Sequence, residues 1–209
     1  ERMLAEMKEA GVDVLWLFCY FYGHFASTFE EMRAAKKVLE DHGFEVQAIN
    51  VPLGHGGNAF DPTDNSVDLS IGEGWQNRVD INGARQSCCA CLTDRVIEDT
   101  KKVAMSIREL GITKIFYDDD LRLAHWGKQV QGCYCDGCIA EFNKTAGTGF
   151  SREALKEVIK KPEQTSAEKA VVEAWMDYSC DKIIRYLIDV TVPGFTSGIM
   201  VMHNGDRRH

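Results

Sequence analysis

The chain has 209 residues, of which 44% are hydrophobic and 27% are charged, and this composition fits one globular domain with a buried core. The net charge is −8, and no cluster of Lys and Arg is interleaved with aromatic residues, which argues against a nucleic-acid partner. The longest apolar run, Val14 to Phe21, is too short to cross a bilayer, so we expect no membrane partner. The compartment stays open, with the cytoplasm favoured.

The first half of the chain alternates helix patterns with strand patterns. The stretch "ERMLAEMKEAG" predicts a helix that ends at Gly11, and "VDVLWLFCYFYG" predicts a strand buried on both faces. A capped helix, "STFEEMRAAKKVLEDHG", and a second strand, "FEVQAINVPL", follow. Residues 54–92 are then predicted to form a long loop, rich in Gly, Asn and Asp. Loops of this length are usually functional, so we expect it to lie over a site.

The second half continues the alternation. A helix is predicted at "TDRVIEDTKKVAMSIRELG", a strand at "ITKIFYDDD", helices near 151–161 and 167–190, and a fourth strand at "SGIMVMHNG". Residues 132–142 form a separate cysteine-rich segment.

Strands that alternate with helices, without hairpin signals between them, predict a parallel sheet. An open doubly wound sheet and a (β/α)8 barrel both fit, but polar or aromatic residues close every strand and no glycine-rich phosphate loop follows one. The barrel is therefore favoured. Four strands make about half of a barrel that typically needs ~250 residues. We therefore predict an α/β, TIM-barrel-like fold that is incomplete, about strands two to five, in one domain over 1–209, cut from something longer.

The strand ends supply candidate site residues, because several strand ends share one mouth in a barrel. Aromatic or imidazole groups there could stack on or orient a sugar ring, although core and turn roles are equally open for several of them. The candidates for substrate binding are Tyr22, His24, Asn50, His55, Arg122, His203 and Asn204.

Three cysteines, Cys133, Cys135 and Cys138, lie within the short stretch "GCYCDGCIAEF". A disulfide pair, buried thiols and a redox C-x2-C pair are possible readings, but a C-x-C-x2-C run is typical of a metal site. Zinc in structural sites takes four soft ligands in a tetrahedron, so a fourth ligand is required. The other clustered cysteines come just before the helix at 93–94: Cys88, Cys89 and Cys91.

The acidic run "DDD" ends a buried strand a few residues upstream. Strand alternation sends Asp119 to one side and Asp118 and Asp120 to the other, so at least one carboxylate should face the barrel mouth. Such a carboxylate could act as a general acid, bind a divalent metal or hydrogen-bond sugar hydroxyls. Arg122 could pair with one of them and lower its pKa.

The segment "DDDLRL…GCYCDGCIAEF" resembles glycoside hydrolase family 42 β-galactosidases and related barrel glycosidases. The phrases "MLAEMKEAGVDVLWL" and "CLTDRVIEDT" are similar to the helix-one to strand-two segment and to the loop after strand three of that family. The resemblance implies a structural zinc held by Cys91, Cys133, Cys135 and Cys138. It also implies a catalytic acid at the end of strand four and a carbohydrate substrate.

The departures are as informative as the matches. The family ends strand four with Asn-Glu, whereas Asp118 to Asp120 stand here, and the family nucleophile comes from a seventh strand that this chain does not reach. We therefore predict a glycoside hydrolase-like domain in which Asp119 protonates the leaving oxygen and Asp118 or Asp120 positions it. The second carboxylate that hydrolysis needs lies outside the sequence. The alternative is a non-catalytic carbohydrate-binding or zinc-stabilised assembly domain, and a homo-oligomer remains possible.

Overall fold

The computed structural model describes residues 1–54, 71–118, 123, 130 and 132–199. Its elements in chain order are α1 (Arg2–Glu9), β1 (Val14–Phe21), β2 (His24–Phe25), α2 (Phe29–Asp41), β3 (Glu45–Val51), β4 (Asn77–Val79), β5 (Arg85–Ala90), α3 (Asp94–Arg108), β6 (Lys114–Tyr117), α4 (Asp136–Ala146), α5 (Arg152–Lys160), α6 (Ser166–Val190) and β7 (Thr196–Ile199). The helices and strands predicted from periodicity all have counterparts among them. No helix in the described part of the chain is long and apolar enough to cross a membrane.

The main sheet has five strands in the order β2-β1-β3-β6-β7. The strands β1, β3, β6 and β7 are parallel, and they follow one another across the sheet in chain order without a reversal. The short strand β2 pairs antiparallel with the end of β1. The predicted α/β fold with a parallel sheet is thereby confirmed at the level of a mostly parallel five-stranded sheet with helices.

Helices α2, α3 and α6 pack on one face of this sheet. That face contributes Cys19, Ala48, Ile115 and Tyr117 to the main core, where they meet side chains of the three helices. Side chains alternate between faces along a strand, so the neighbours of these residues point to the other side.

In the described part of the chain the other face of the sheet is largely uncovered, and this corrects the prediction that β1 is buried on both faces. Trp16 of β1 is 44% exposed and Phe18 is 45% exposed. Trp16 packs against Phe116 of β6, with ring centroids 5.7 Å apart. The apolar run of β1 indicates a strand with two apolar faces, but within residues 1–54, 71–118 and 132–199 no second helical layer covers the face that carries Trp16 and Phe18.

A second correction concerns the predicted 54–92 loop, which contains the antiparallel pair β4–β5. The turn between these strands is closed by the Asp80 carboxylate, which accepts hydrogen bonds from the backbone N–H groups of Asn82 and Ala84, both at 2.8 Å. Gly83 has a φ of +85°, a conformation that glycine adopts without strain. Asn-Gly is a strong hairpin signal, and the sequence analysis overlooked it here.

A smaller core lies beside the main one, under α4, α5 and α6. Its centre is Trp175, which is fully buried. The Trp175 ring stacks on Tyr134 with ring centroids 4.6 Å apart and meets Phe142 edge-on with centroids 5.1 Å apart. Ile81 from the hairpin and Leu155 from α5 complete its contacts. The cysteine-rich segment is thus anchored by its own Tyr134 in a packed environment.

Candidate metal centre

Four cysteines converge between the two cores. The Sγ atoms of Cys91, Cys133, Cys135 and Cys138 all lie within 4.8 Å of one another, and none of the four takes part in a disulfide. The Sγ of Cys91 is 3.8 Å from that of Cys135 and 3.7 Å from that of Cys138. Metal–sulfur bonds of about 2.3 Å in a tetrahedron place sulfurs about 3.8 Å apart. The cluster therefore has the dimensions of a tetrahedral four-thiolate metal site.

Cys91 reaches the cluster from the hairpin. It directly follows β5, and its backbone N–H donates to the carbonyl of Gln76 at 2.7 Å. The preceding residue, Ala90, donates to the carbonyl of Leu53 at 2.8 Å, which ties the hairpin to the end of β3. Thr93 then caps α3 through its side chain. Two backbone hydrogen bonds, from Cys91 to Gln76 and from Ala90 to Leu53, therefore fix the position of Cys91.

The other three cysteines of the cluster come from the segment that leads into α4. The backbone N–H of Tyr134 donates to the carbonyl of Val79 in β4 at 2.8 Å, so this segment lies against the hairpin. Arg78, which is 2% exposed, donates to the carbonyl of Gly132 at 2.8 Å. Cys135 is the N-cap of α4, so Cys138 follows one helical turn later on the same face.

The helix start also favours a thiolate. Hydrogen bonds from the neighbouring thiols lower the pKa of Cys135, and the bond from Cys133 contributes most. The backbone N–H of Cys138, whose nitrogen is 3.5 Å from the Cys135 Sγ, acts in the same direction. Hydrogen bonds with Cys133, Cys135 and Cys138 raise the pKa of the Cys91 thiol, and its burial acts in the same direction. A divalent cation would be needed to hold all four cysteines together as thiolates, because four buried negative charges would otherwise repel one another.

A cation from α6 borders the cluster. The Lys182 ammonium donates to the Sγ of Cys138 at 3.6 Å and to the Glu141 carboxylate at 2.8 Å, and the Tyr178 hydroxyl donates to the same carboxylate oxygen at 2.8 Å. Burial alone would lower the pKa of Lys182, but the charge of Cys138 and the hydrogen bond to Glu141 outweigh it and raise the pKa. Lys182 therefore stays protonated.

A cavity of about 550 Å³ lies beside the cluster. Cys91, Cys135 and Cys138 form part of its wall, together with Glu141 and Lys182. Cys133 is 2% exposed and is not part of this wall, so the cluster is buried on one side and borders the cavity on the other.

The geometry decides between the candidates for the fourth ligand. Cys91 joins the cluster, as the resemblance implied, whereas the described cluster does not include Cys89, and the side chain of Cys88 lies outside the described part of the chain. A closed Cys135–Cys138 disulfide is absent, and both sulfurs face Cys91. The prediction of a metal-binding cysteine cluster is confirmed as four cysteines that could bind a metal.

The predicted mouth residues are only partly described. Asp118 directly follows β6, is half-buried, and donates its backbone N–H to the carbonyl of Asn50 at 3.1 Å. Since Tyr117 points into the helix-covered core, alternation directs Asp118 to the uncovered face. Asn50 lies at the carboxyl end of β3 and is fully buried, and neither of its amide atoms has a hydrogen-bond partner among the described residues.

Tyr22 directly follows β1, and His24 begins β2. Tyr22 is fully buried with a φ of +49°, and its hydroxyl accepts a hydrogen bond from the Asn77 amide at 2.9 Å. It therefore anchors the hairpin to the sheet, whereas His24 is exposed. The other predicted residues lie outside the described residues: Asp119, Asp120, His55, Arg122, His203 and Asn204.

The sequence analysis missed Lys182, Glu141 and Tyr178. Their contribution comes from the packing of α6 on α4, and the only local sign was the helical spacing of Tyr178 and Lys182, which is common on any helix. Comparison of the chain with models of known protein families, and with curated proteins, finds no match.

Proposed function

We propose that the chain binds one zinc ion through Cys91, Cys133, Cys135 and Cys138, and that this zinc is structural. The sulfur–sulfur distances of 3.7 and 3.8 Å carry the proposal, because they match a tetrahedron of zinc–thiolate bonds. Four protein ligands fill the coordination sphere, so none remains for a substrate. Iron also accepts four thiolates in a tetrahedron, and zinc is preferred because a link between two chain segments requires no redox change.

Elemental analysis tests this proposal directly. The purified protein should contain one equivalent of zinc, and Cys91→Ser should lose most of it after dialysis against a mild chelator. Cys180→Ser is the matched control, because it makes the same chemical change on α6 outside the cluster. One equivalent of iron in place of zinc would change the metal and leave the ligand set, whereas a metal-free wild-type protein would overturn the proposal.

We further propose that the parallel strands form an arc of a (β/α)8 barrel. Two features support this: β1, β3, β6 and β7 lie in chain order without the reversal of an open doubly wound sheet, and the helices that the structure describes cover one face. Parallel sheets are normally covered on both faces. In a closed barrel the face that carries Trp16 and Phe18 would be covered, because it would line the barrel interior. On this proposal Asp118 stands at the barrel mouth.

The catalytic part of the proposal is glycoside hydrolysis, with an aspartate at the end of β6 as the acid. It rests on the resemblance to family 42 glycosidases, and it is supported by the convergence of Cys91 with the other three cysteines, which is the ligand set that the resemblance implies. In the zinc-clamped arrangement, Asp118 is joined to β3 by its backbone hydrogen bond to Asn50, and Cys133 would be joined to the metal.

The test is turnover of chromogenic galactosides and related glycosides by the longest natural polypeptide that contains this sequence. Asp118→Asn, Asp119→Asn and Asp120→Asn are compared with Asp13→Asn, an exposed aspartate at the opposite end of the sheet. We expect one of the three variants to lose about 10²-fold or more in kcat, as for removal of a general acid. Unchanged turnover in all three would rule out the acid role and favour the non-catalytic alternative.

A further inference from the structure

Lys182 lies where helix α6 passes the cysteine cluster. Its Nζ is 3.6 Å from the Sγ of Cys138, within reach of an N–H···S hydrogen bond, and its side chain is only 15% exposed. The same ammonium is 2.8 Å from the Glu141 carboxylate and 3.3 Å from the Tyr178 hydroxyl. Two further contacts therefore hold the Lys182 ammonium against the sulfur, so its position is not that of a freely moving surface lysine.

The charge of a filled site makes this contact important. Four thiolates around a divalent cation carry a net charge of −2, and Cys91, Cys133 and Cys138 are no more than 3% exposed. A buried net charge is costly unless opposite charge and hydrogen-bond donors are close to it. The Lys182 ammonium supplies both to Cys138.

We propose that Lys182 is a positioning residue of the metal centre, which stabilises the Cys138 thiolate by a charge-assisted hydrogen bond and is itself oriented by Glu141 and Tyr178. This inference rests on the proposed metal site and extends it from four ligands to the groups that surround them. Groups in contact with metal ligands orient the ligands and tune the metal, and their loss typically lowers metal affinity by about 10- to 100-fold.

The position of Lys182 also links the metal to both cores. Helix α6 contributes Trp175 and Tyr178 to the smaller core and Tyr186 to the main core, and Lys182 lies between these contributions. Lys182 also borders the cavity that reaches Cys91, Cys135 and Cys138.

The experiment compares Lys182→Met, Lys182→Arg and the matched control Lys169→Met, which removes the same charge from an exposed position of the same helix. Zinc affinity is measured by competition with a chromophoric chelator, and the sulfur-to-metal charge-transfer band is measured in the Co(II)-substituted protein. We expect Lys182→Met to bind one metal about 10- to 100-fold more weakly. Its charge-transfer band should move to lower energy, because a thiolate that loses a hydrogen bond becomes a better electron donor.

Lys182→Arg should retain most of the affinity, and Lys169→Met should match the wild type. If Lys182→Met does not fold, Glu141→Gln provides the second variant: it removes the charged anchor of the ammonium and should shift the band in the same direction by less. A role in packing alone would lower the stability of the metal-free protein and leave the band unchanged.

The outcomes separate this inference from the metal site itself. A wild-type protein that binds neither zinc nor Co(II) overturns the metal site and with it the inference. A wild type that binds one metal, with the affinity and the band unchanged in Lys182→Met, overturns only the role of Lys182.

Discussion

The cysteine cluster should make the thermal stability of the protein depend on free zinc. A ligand that binds only the folded state stabilises it by RT ln(1 + [L]/Kd), so each tenfold rise in free zinc above Kd adds about 1.4 kcal/mol. For a chain of this size, 1 kcal/mol raises Tm by roughly 2–4 °C. The expected slope is therefore roughly 3–6 °C per tenfold change in free zinc for the wild type.

Cys91→Ser should remove this slope, and the reason lies in the topology of the site. Cys133, Cys135 and Cys138 come from one short segment, and they can approach one metal in the unfolded chain as well as in the folded one. Cys91 is 44 residues away from Cys135 along the chain and meets it only in the folded state. Without Cys91, metal binds both states with similar affinity, and binding to the unfolded state cancels the stabilisation.

The assay is thermal unfolding followed by far-UV circular dichroism in buffers that fix free zinc over several decades. Cys180→Ser should keep the wild-type slope, because it lies outside the cluster. A Tm that does not change with free zinc in the wild type, or a slope in Cys91→Ser equal to that of the wild type, would refute the reasoning.

Three further predictions concern the surroundings of the site. Gly132→Ala should lower the free energy of unfolding, measured in urea, by about 1–3 kcal/mol. The added Cβ would stand 2.8 Å from the Trp175 ring, and the backbone φ of +137° is unfavourable for alanine. Gly149→Ala, which has open space around it, should leave the free energy of unfolding nearly unchanged. Thr165→Ala should lower the free energy of unfolding, measured in the same way, by about 1 kcal/mol, because it removes the Thr165 side chain from the capping box of α6. The pKa of Glu168 is lowered from 4.5 to about 2 by hydrogen bonds from Lys161 and Thr165, so its stabilising effect, present above pH 4.5, should fade as the pH falls towards 2. The difference in free energy of unfolding between wild type and Glu168→Gln should then shrink as the pH falls from 4.5 towards 2. A difference that stays constant over these pH values would contradict the stabilising role of the Glu168 carboxylate.

The positions of the helices were predictable because their signals are local. Thr28 and Glu31 form a reciprocal capping box at the start of α2, as the cap pattern of that stretch suggested. Gly11 and Gly43 follow α1 and α2 with positive φ, close to where the helices were predicted to end. The Asn82-Gly83 turn of the hairpin was equally local, and it was missed because the predicted loop was read for composition and not for turn type.

The burial of strand residues was less predictable. Trp16 and Phe18 are as apolar as Leu17, which packs against the main core, yet both are largely exposed. An apolar side chain indicates that a face can be buried, whereas the layer that covers the face comes from elsewhere in the structure. The same limit applies to Trp75, which lies between Gly74 and Gln76 in the sequence and is only 8% exposed, with its indole N–H donating to Asp99 at 3.0 Å.

The sequence by itself determined the alternation of helices and strands, the helix ends and the close spacing of the three cysteines in the C-x-C-x2-C run, because each of these depends on residues within a few positions of one another. Only the tertiary structure decided that Cys91 is the fourth cysteine of the cluster and that Lys182 contacts Cys138. Both contacts join residues at least 44 positions apart, and their geometry is set by the packing of the hairpin and α6 around the segment that begins α4. Long-range packing fixes which side chains meet, and no pattern in neighbouring residues encodes it.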